Sequence, residues 1–567
     1  MVSLFNALNI SSNALTVNES AISVVSHNVA NMNTEGYSKQ KVNLATRNIA
    51  GAIGDSTEAQ VRANGGVMIA NIMRYNDTYL NNYYRDQLSI LKGYEAQLGN
   101  LGDLEDIFND LEGEGISGAL SSFYEAVNNL NEYPASSTAR VNFIESAKTL
   151  TATLNAKSQQ LTELTSKALG DGENLESLEA SKIYSEYSVF NDKLKELAEV
   201  NKALQITQTG TLHANNLLDQ RDMILNDIAQ FVDINVEENP YNGSVTVFVG
   251  NQEMVKGAKV VGELDIQTAK QYCESQNPAI PYPDGWVTAE GKPREAAVIS
   301  IVSRSESGEI TPIVADANSI IQGGSLGGLL HSTDTETDGM NAGKAMDALN
   351  TIASTVANLF NNLNTRDGAY CINPNDTSKL LKTNSENYIF GNLVPKIDPA
   401  TNQPMVDPVT NEVIYELEDI TAANISVNSN LLSEKGMWNI ACAYFDNPDN
   451  LDPPPTFDEN AIGNAQNAVA MLGTRNEKIT ELGNMSVEDY YTNLLGKIAA
   501  GGSNMKALVD TQTNVVDSIH DKILSNNSVD LNEELVDLVK YQTAYSAAAQ
   551  VFNTCNSCLD VLMTLGG

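Results

Sequence analysis

Basic residues are scarce in this chain, and none occurs before Lys39. Across 567 residues there are 34 Lys and Arg against 72 Asp and Glu, a formal net charge of −38. So acidic a surface repels a phosphate backbone, which excludes nucleic acid as the expected partner. It favours solubility and discourages nonspecific adhesion, but it decides nothing about fold. No apolar run is long enough to cross a bilayer, so no membrane insertion is expected. The N-terminus lacks a basic region, an uninterrupted apolar stretch and a small-residue cleavage site, so it does not read as a cleaved secretory signal. That leaves a cytoplasmic location or an export route that reads no cleaved signal.

The residues that carry chemistry are equally thin. Four histidines, His27, His213, His331 and His520, stand far apart and in no metal-ligand spacing. The five cysteines, Cys273, Cys371, Cys442, Cys555 and Cys558, are odd in number, which argues against a disulfide framework. Cys555 and Cys558 form a C-x-x-C, but they lie i, i+3 inside a heptad pattern without a second pair nearby; they read as small buried apolar residues. Asp334-Thr335-Glu336-Thr337-Asp338-Gly339 resembles the start of a calcium loop, yet Ala345 stands where the twelfth-position Glu belongs, so a solvated acidic loop is expected. Gly323 to Gly328 lacks the Gly-Lys-Ser/Thr ending of a phosphate-binding loop and reads as a turn between strand and helix. Acidic pairs suited to acid–base catalysis arise by chance among so many carboxylates. No catalytic residue, metal or cofactor is expected, and the chain does not read as an enzyme.

What the sequence does have is a matched pair of apolar seams, one at each end. The first runs Leu4, Leu8, Ser11, Leu15, Asn18, Ile22, Val25, Val29; the second runs Leu531, Leu535, Leu538, Gln542, Tyr545, Ala549, Phe552, Asn556, Leu559, Met563. Steps alternating between four and three average 3.5 residues, the repeat that holds one helix face against a partner. An isolated helix has a single face to hide, so each seam needs another helix, from the same chain or from a copy. Polar Ser11, Asn18, Gln542 and Asn556 are expected to set register at a cost in stability. Leu4, Leu8, Leu15, Ile22, Val25, Val29, Leu531, Leu535, Leu538, Tyr545, Phe552 and Leu559 are the expected assembly interface. In a free monomer both ends are expected to be disordered for want of a partner.

A chain of this length needs several cores. Periodicity predicts helices over 3–30, from Tyr75 to Leu111, over 119–132, from Ser136 or Ser137 past Leu154, over about 173–231, over 341–363 and from 461 to the end. Asp530 with Glu533 looks like a capping box for the last helix. Alternating Val245, Val247 and Val249 after Asn242-Gly243, and the β-branched run from Val298 to Val302, predict a β-rich region. Strand-like pieces at 388–394 and 412–425, with Pro453-Pro454-Pro455, suggest a second insertion. The expected class is mainly α with β-rich inserted domains: elongated, with terminal coiled-coil helices and a long helical bundle. The expected domains are 1–74 with 526–567 (terminal assembly), 75–232 with 461–525 (helical rod), 233–340 (β-rich) and 341–460 (helix, then the second β insertion).

The segment from Ser26 to Gln40, SHNVANMNTEGYSKQ, resembles the bacterial flagellar axial proteins, whose N-terminal helix ends in Asn-Asn-Ile-Ala-Asn-x-Asn-Thr-x-Gly-Tyr/Phe. Asn31, Asn33, Thr34, Gly36 and Tyr37 carry the match. The Tyr-Ser-Lys-Gln continuation looks like the hook-associated protein 1 branch, usually Gly-Tyr-Ser-Arg-Gln. Further similar stretches are Pro134 to Arg140, Ala214 to Asp222 with Arg221 inside Leu-Leu-Asp-Gln-Arg-Asp, Gly243 to Gly250, and Val529 to Glu534 with Lys540 to Tyr545. Asn527-Ser528 departs from the usual Ser-Gly, cysteine is unusual in the family, and 258–320 and 370–460 show no match.

The resemblance implies a structural subunit of the flagellum, forming a ring at the hook–filament junction with copies of itself. It implies hook protein and the second junction protein as neighbours. It also implies an extracellular position reached by flagellar type III export without a cleaved signal, and an export chaperone on the C-terminal helix beforehand. An exposed apolar stripe suits masking by a partner groove. The alternatives are another axial protein (hook protein, which lacks the Leu-Leu-Asp-Gln-Arg-Asp helix, or the second junction protein, usually much shorter), a secreted enzyme carried on the β insertion, or a surface adhesin using 258–320.

Overall fold

The structure is a computed structural model. It describes residues 2–48, 64–109, 115–282, 296–305, 310–335, 338–384, 387–398, 403–406, 413–445 and 461–565. The triple proline at 453–455 lies outside them.

Both seams form single helices, α1 (Val2–Asn31) at the start and a 35-residue helix (Leu531–Leu565) at the end. After α1 come β1 (Gln40–Asn48) and β2 (Asn64–Arg74), paired antiparallel from Gln40↔Arg74. Four helices follow: α2 (Thr78–Phe108), α3 (Gly115–Glu132), α4 (Ser137–Leu169) and α5 (Leu175–Glu179). Next are α6 (Lys182–Ile206) and α7 (Leu212–Ala229). Side-chain caps start several of them: Asp77, Ser136, Ser181 and Thr211 each accept a backbone N–H of the first turn. Ser136, the earlier of the two candidates, is the cap of α4.

The β-rich region opens with β3 (Ile234–Glu238), β4 (Val245–Val249), β5 (Gln252–Lys256) and β6 (Lys259–Val260), an antiparallel sheet in that order. A second sheet holds β7 (Glu263–Thr268), β8 (Ala297–Arg304) and β9 (Ile310–Val314). Alternate valines of β4 are buried, as their period requires. This region shares one hydrophobic cluster with α6 and α7, through Phe190, Leu197, Ile224, Val247, Met254 and Ile299.

The Gly-rich stretch expected as a turn is mostly helix: α8 (Gly324–Leu330). Its glycines serve close approach. A Cβ on Gly328 would strike the Gly93 carbonyl of α2, and one on Gly324, held at φ +70°, would strike the Phe231 backbone.

α9 (Ala342–Thr365) packs with α3, α4, α10 (Gln466–Gly473) and the start of α11 (Val487–Asn527). Phe123, Phe143, Phe360 and Phe390 meet at the centre, with Phe123 and Phe360 4.8 Å apart edge to face. Residues 341–363 therefore share a core with the helices rather than with the second insertion alone. That insertion carries little regular strand: β10 (Ala369–Ile372), β11 (Leu380–Lys382), β12 (Ala443–Tyr444) and short two-stranded pieces at Leu393–Pro395 with Tyr415–Leu417 and at Ile397–Asp398 with Gln403–Pro404. Buried asparagines replace the ladder. Asn361 accepts from the N–H groups of Ile389 and Phe390 and donates to the Phe390 carbonyl; Asn364 and Asn467 serve Ala441 in the same way.

α11 runs 41 residues and lies along α2 in the opposite sense, Val516 by Leu88 and Leu91, Gly501 by Leu101. The last helix, α12 (Leu531–Leu565), returns along α1.

Candidate assembly interface

α1 and α12 lie antiparallel: Asn28 meets Glu534, and Ala21 and Val24 share a cluster with Tyr541. The ends are thus folded on each other within one chain, not disordered as their stripes alone suggested. Of the seam residues, Ser11 and Val25 are buried, and Leu4, Leu8, Leu15, Ile22 and Val29 are half-buried. Leu538, Phe552 and Leu559 are half-buried, while Leu531, Leu535 and Tyr545 are exposed at 40%, 46% and 38%. The deepest rows fall one position earlier than the seams as read: Val17, Ala21, Val24 and Asn28 on α1, Glu534, Tyr541 and Cys555 on α12. Cys558, read as buried, is exposed. Val536, Val539, Val551, Val561, Leu562 and Met563 are also exposed on α12.

β1, β2 and the motif loop close the other side of α1. Tight hydrogen bonds end the helix: Thr34 N–H donates to the Asn31 carbonyl, Tyr37 N–H to Thr34, and the Asn31 amide back to His27. Gly36 sits at φ +75°, and a Cβ there would run into the Met223 side chain of α7. Asn33 and Thr34 are exposed. The turn sends Tyr37 back beneath α1, where its hydroxyl donates to Asn28 Oδ1 at 2.6 Å and lies 3.0 Å from His27 Nδ1.

Asn28, 1% exposed, is the hub. Its Oδ1 also accepts from Gln40 N–H at 3.0 Å, while its Nδ2 donates to the Gln40 carbonyl at 2.8 Å and to Glu534 Oε2 at 3.0 Å. The Gln40 side chain continues to α7, donating to Asn216 and accepting from Asn215. Lys39 bridges Glu533 at 2.5 Å and Glu534 at 3.4 Å, and its N–H meets the Asn527 carbonyl at the end of α11. Burial pulls the Lys39 ammonium down, but Glu533 and Glu534 outweigh it and raise it above its ordinary range.

A charged cluster lies beneath. Arg74 pairs with Asp219 at 2.8 Å and Asp222 at 2.6 Å; Arg85 reaches Asp222 at 3.2 Å; Arg221 pairs with Asp222 at 2.8 Å and Glu238 at 3.2 Å, and donates to the Gly243 carbonyl. Burial pushes the Asp222 carboxyl up, but Arg221, Arg74 and Arg85 overcome this and hold it far below the carboxylate range. Burial wins at Asp219, which is raised despite Arg74. Tyr37 is raised by burial and by the nearby charges of Asp219 and Glu534.

The family-motif residues therefore divide. Tyr37, Gly36 and Arg221 sit in this joint, which ties α1 and α12 to α7, α11 and β4; Asn31 trims the helix end; Asn33 and Thr34 face solvent. Asn28, Gln40, Asp222 and Glu534 lie in the similar stretches but were given no role from sequence, and Arg74 and Arg85 were not read at all. The signal available for the arginines was scarcity, since few basic residues occur in the chain.

Three family descriptions match the chain: "Flagellar hook-associated protein FlgK helical domain" over 101–370, "Flagellar basal body rod FlgEFG protein C-terminal" over 522–565 and "Flagella basal body rod protein" over 8–37. Flagellar hook-associated protein 1 of Bacillus subtilis is 24% identical across the full length of both chains. That of Salmonella typhimurium is 23% identical over 98% of this chain and 99% of its own. In fold, the chain is similar to the flagellar hook junction protein FlgK of Burkholderia pseudomallei, with a TM-score of 0.52 and 14% identity over 79% of this chain and 100% of that one.

Proposed function

We infer that the chain belongs to the flagellar hook-associated protein 1 family and is a structural, non-enzymatic subunit of the flagellum at the junction of hook and filament. It associates with other axial components. In finer detail, we propose that copies form a ring, with hook protein on one side and the second junction protein on the other. Each copy contributes its α1–α12 pair to the inner wall and its β-rich regions to the outside. The carrying observation is the apolar surface left on α12 after α1 has taken its share: Leu531, Leu535, Val536, Val539 and Tyr545 are all exposed. The same surface suits an export chaperone before assembly.

Deleting the gene in a flagellated cell tests the role. Cells should keep hooks and shed unpolymerised flagellin; normal filaments without this chain would refute it.

A further inference from the structure

Two of the five cysteines, 71 positions apart in sequence, come together in the fold. β10 and β12 pair antiparallel, Ala369 with Tyr444 and Tyr370 with Ala443. The Phe445 N–H bonds the Gly368 carbonyl, so 368/445 and 370/443 are the hydrogen-bonded pairs. The ladder ends there, and Cys371 and Cys442 are the residues next beyond its last pair, at what a further step would make a non-hydrogen-bonded position. Directly opposed residues there lie about 4.5 Å apart between Cα atoms, with side chains on one face, and a disulfide spans about 4.4–6.8 Å. Both thiols are free and both residues are 2% exposed.

The surroundings add a second observation. Arg140, 1% exposed, donates from Nη2 to Cys442 Sγ at 3.1 Å. Its other bonds go to the carbonyls of Pro134, Met437 and Ile440, and among the described residues no carboxylate pairs with it. The Arg140 guanidinium acts on both sulfurs, and Cys442 acts on Cys371.

We propose that Cys371 and Cys442 form a structural disulfide once the chain has left the reducing cytosol, stapling the second insertion to itself across β10 and β12. The proposal rests on the flagellar reading only for its location. Inside the cell both sulfurs stay reduced, which suits a chain exported before folding. Outside, a low-molecular-weight disulfide is the oxidant. One cysteine thiolate attacks a sulfur of that disulfide and expels one thiolate, leaving a mixed disulfide. The second cysteine thiolate attacks the protein sulfur of the mixed disulfide and expels the other. One S–S bond forms in the chain, one breaks in the oxidant, and the two cysteine protons end on the two released thiols. Burial pushes the Cys371 thiol up to about 11 and raises Cys442 as well, Arg140 offsetting it only in part. Little thiolate exists in the finished fold, so closure belongs to folding, while the strand edge is still open.

The full-length chain is denatured, reduced and refolded with oxidised and reduced glutathione. It is then blocked with N-ethylmaleimide under denaturing conditions and mapped by peptide mass. The expected result is one linked peptide pair, Cys371 with Cys442, with Cys273, Cys555 and Cys558 alkylated. The link should be absent from Cys371→Ser and Cys442→Ser chains. All five cysteines alkylated, or a linkage between other cysteines such as Cys555 and Cys558, overturns the proposal. Because the mapping is read on the unaltered chain, misfolding of a variant does not rescue it. Because it uses purified protein, its failure is separate from failure of the junction role.

Discussion

Asn28→Ala should uncouple the terminal helix pair from the rest of the molecule without melting it. The Asn28 side chain serves four groups: the N–H and C=O of Gln40, the Tyr37 hydroxyl and the Glu534 carboxylate. Gln40 is 1% exposed, so its two backbone groups find no water when Asn28 is cut back. Tyr37 keeps His27, and Glu534 keeps Lys39, so those losses are milder. Leaving a buried polar group unsatisfied costs about 1–3 kcal/mol, so with two fully stranded groups the local loss is about 3 kcal/mol, or about a hundredfold in the opening equilibrium. The chain carries its own reporters. Cys555 is 8% exposed on the α1 side of α12, and Cys558 is exposed three residues on. Under native conditions the variant should lose about a hundredfold of Cys555 protection against a thiol reagent, with Cys558 unchanged. The thermal transition of the helical core, built around Phe123 and Phe360, should move little. Unchanged Cys555 protection, or global unfolding at the same cost, would refute the joint.

Asp222→Asn removes the carboxylate that three arginines share, leaving Arg85 at 4% side-chain exposure without its acid; a loss of about 3–5 kcal/mol is expected in urea unfolding. Acid should act through the same residue. Asp222 is held below its ordinary 3.8, so its stabilisation is complete above that pH and is lost as pH falls toward the folded value. Asp219, raised by burial, has the opposite sign: acid protonates it first and relieves its cost. Cys555 protection should therefore hold from neutral pH to about 5 and fall steeply below about 4. At the other limit, the raised Lys39 contributes fully below its ordinary 10.5 and loses its hold on Glu533 and Glu534 as pH rises through its folded value. Gly36→Ala places a side chain at φ +75° against Met223 and should cost about 1–3 kcal/mol by denaturant titration. Leu535→Asp, on the open face of α12, should change monomer stability by no more than about 0.5 kcal/mol and yet abolish incorporation into flagella, checked by electron microscopy of complemented cells.

The helices were legible because their signals are local: an apolar period, a capping Ser, Thr or Asp, and a proline or glycine at the break. The strands of the β-rich region were legible for the same reason, through the Val245, Val247, Val249 alternation. What escaped was set by residues far apart in sequence. The second insertion reads as strands because Ile389, Ile425 and Val427 are β-branched, but Asn361, Asn364 and Asn467 supply its backbone partners from helices, and no period records that. Gly324 and Gly328 read as a turn because glycine usually marks one; here they let a short helix press against Phe231 and Gly93. The capping box at Asp530 was half right. Asp530 accepts from the Asn532 and Glu533 N–H groups, but the Glu533 carboxylate leaves for Lys39 and never returns to the cap.

The offset of the terminal seams carries the functional consequence. A heptad row read from apolar content marks the centre of the whole apolar stripe, and a stripe wider than one row can serve two neighbours. On α12 the mate inside the chain takes Glu534, Leu538, Tyr541 and Cys555, one edge of the stripe, with a carboxylate at its head that Asn28 and Lys39 satisfy. That polar key holds the pair to one alignment, because sliding α12 by a turn would strand Glu534 without either partner. Leu535, Val536 and Val539, on the other side of the stripe, are then presented in fixed register instead of being spent inside the monomer. A neighbouring helix can pack on these exposed side chains. If Glu534 sets that register, Glu534→Leu should stabilise a slipped pair. Cys555 would then stay protected while incorporation into flagella fails, whereas full assembly of Glu534→Leu would show that alignment is fixed elsewhere.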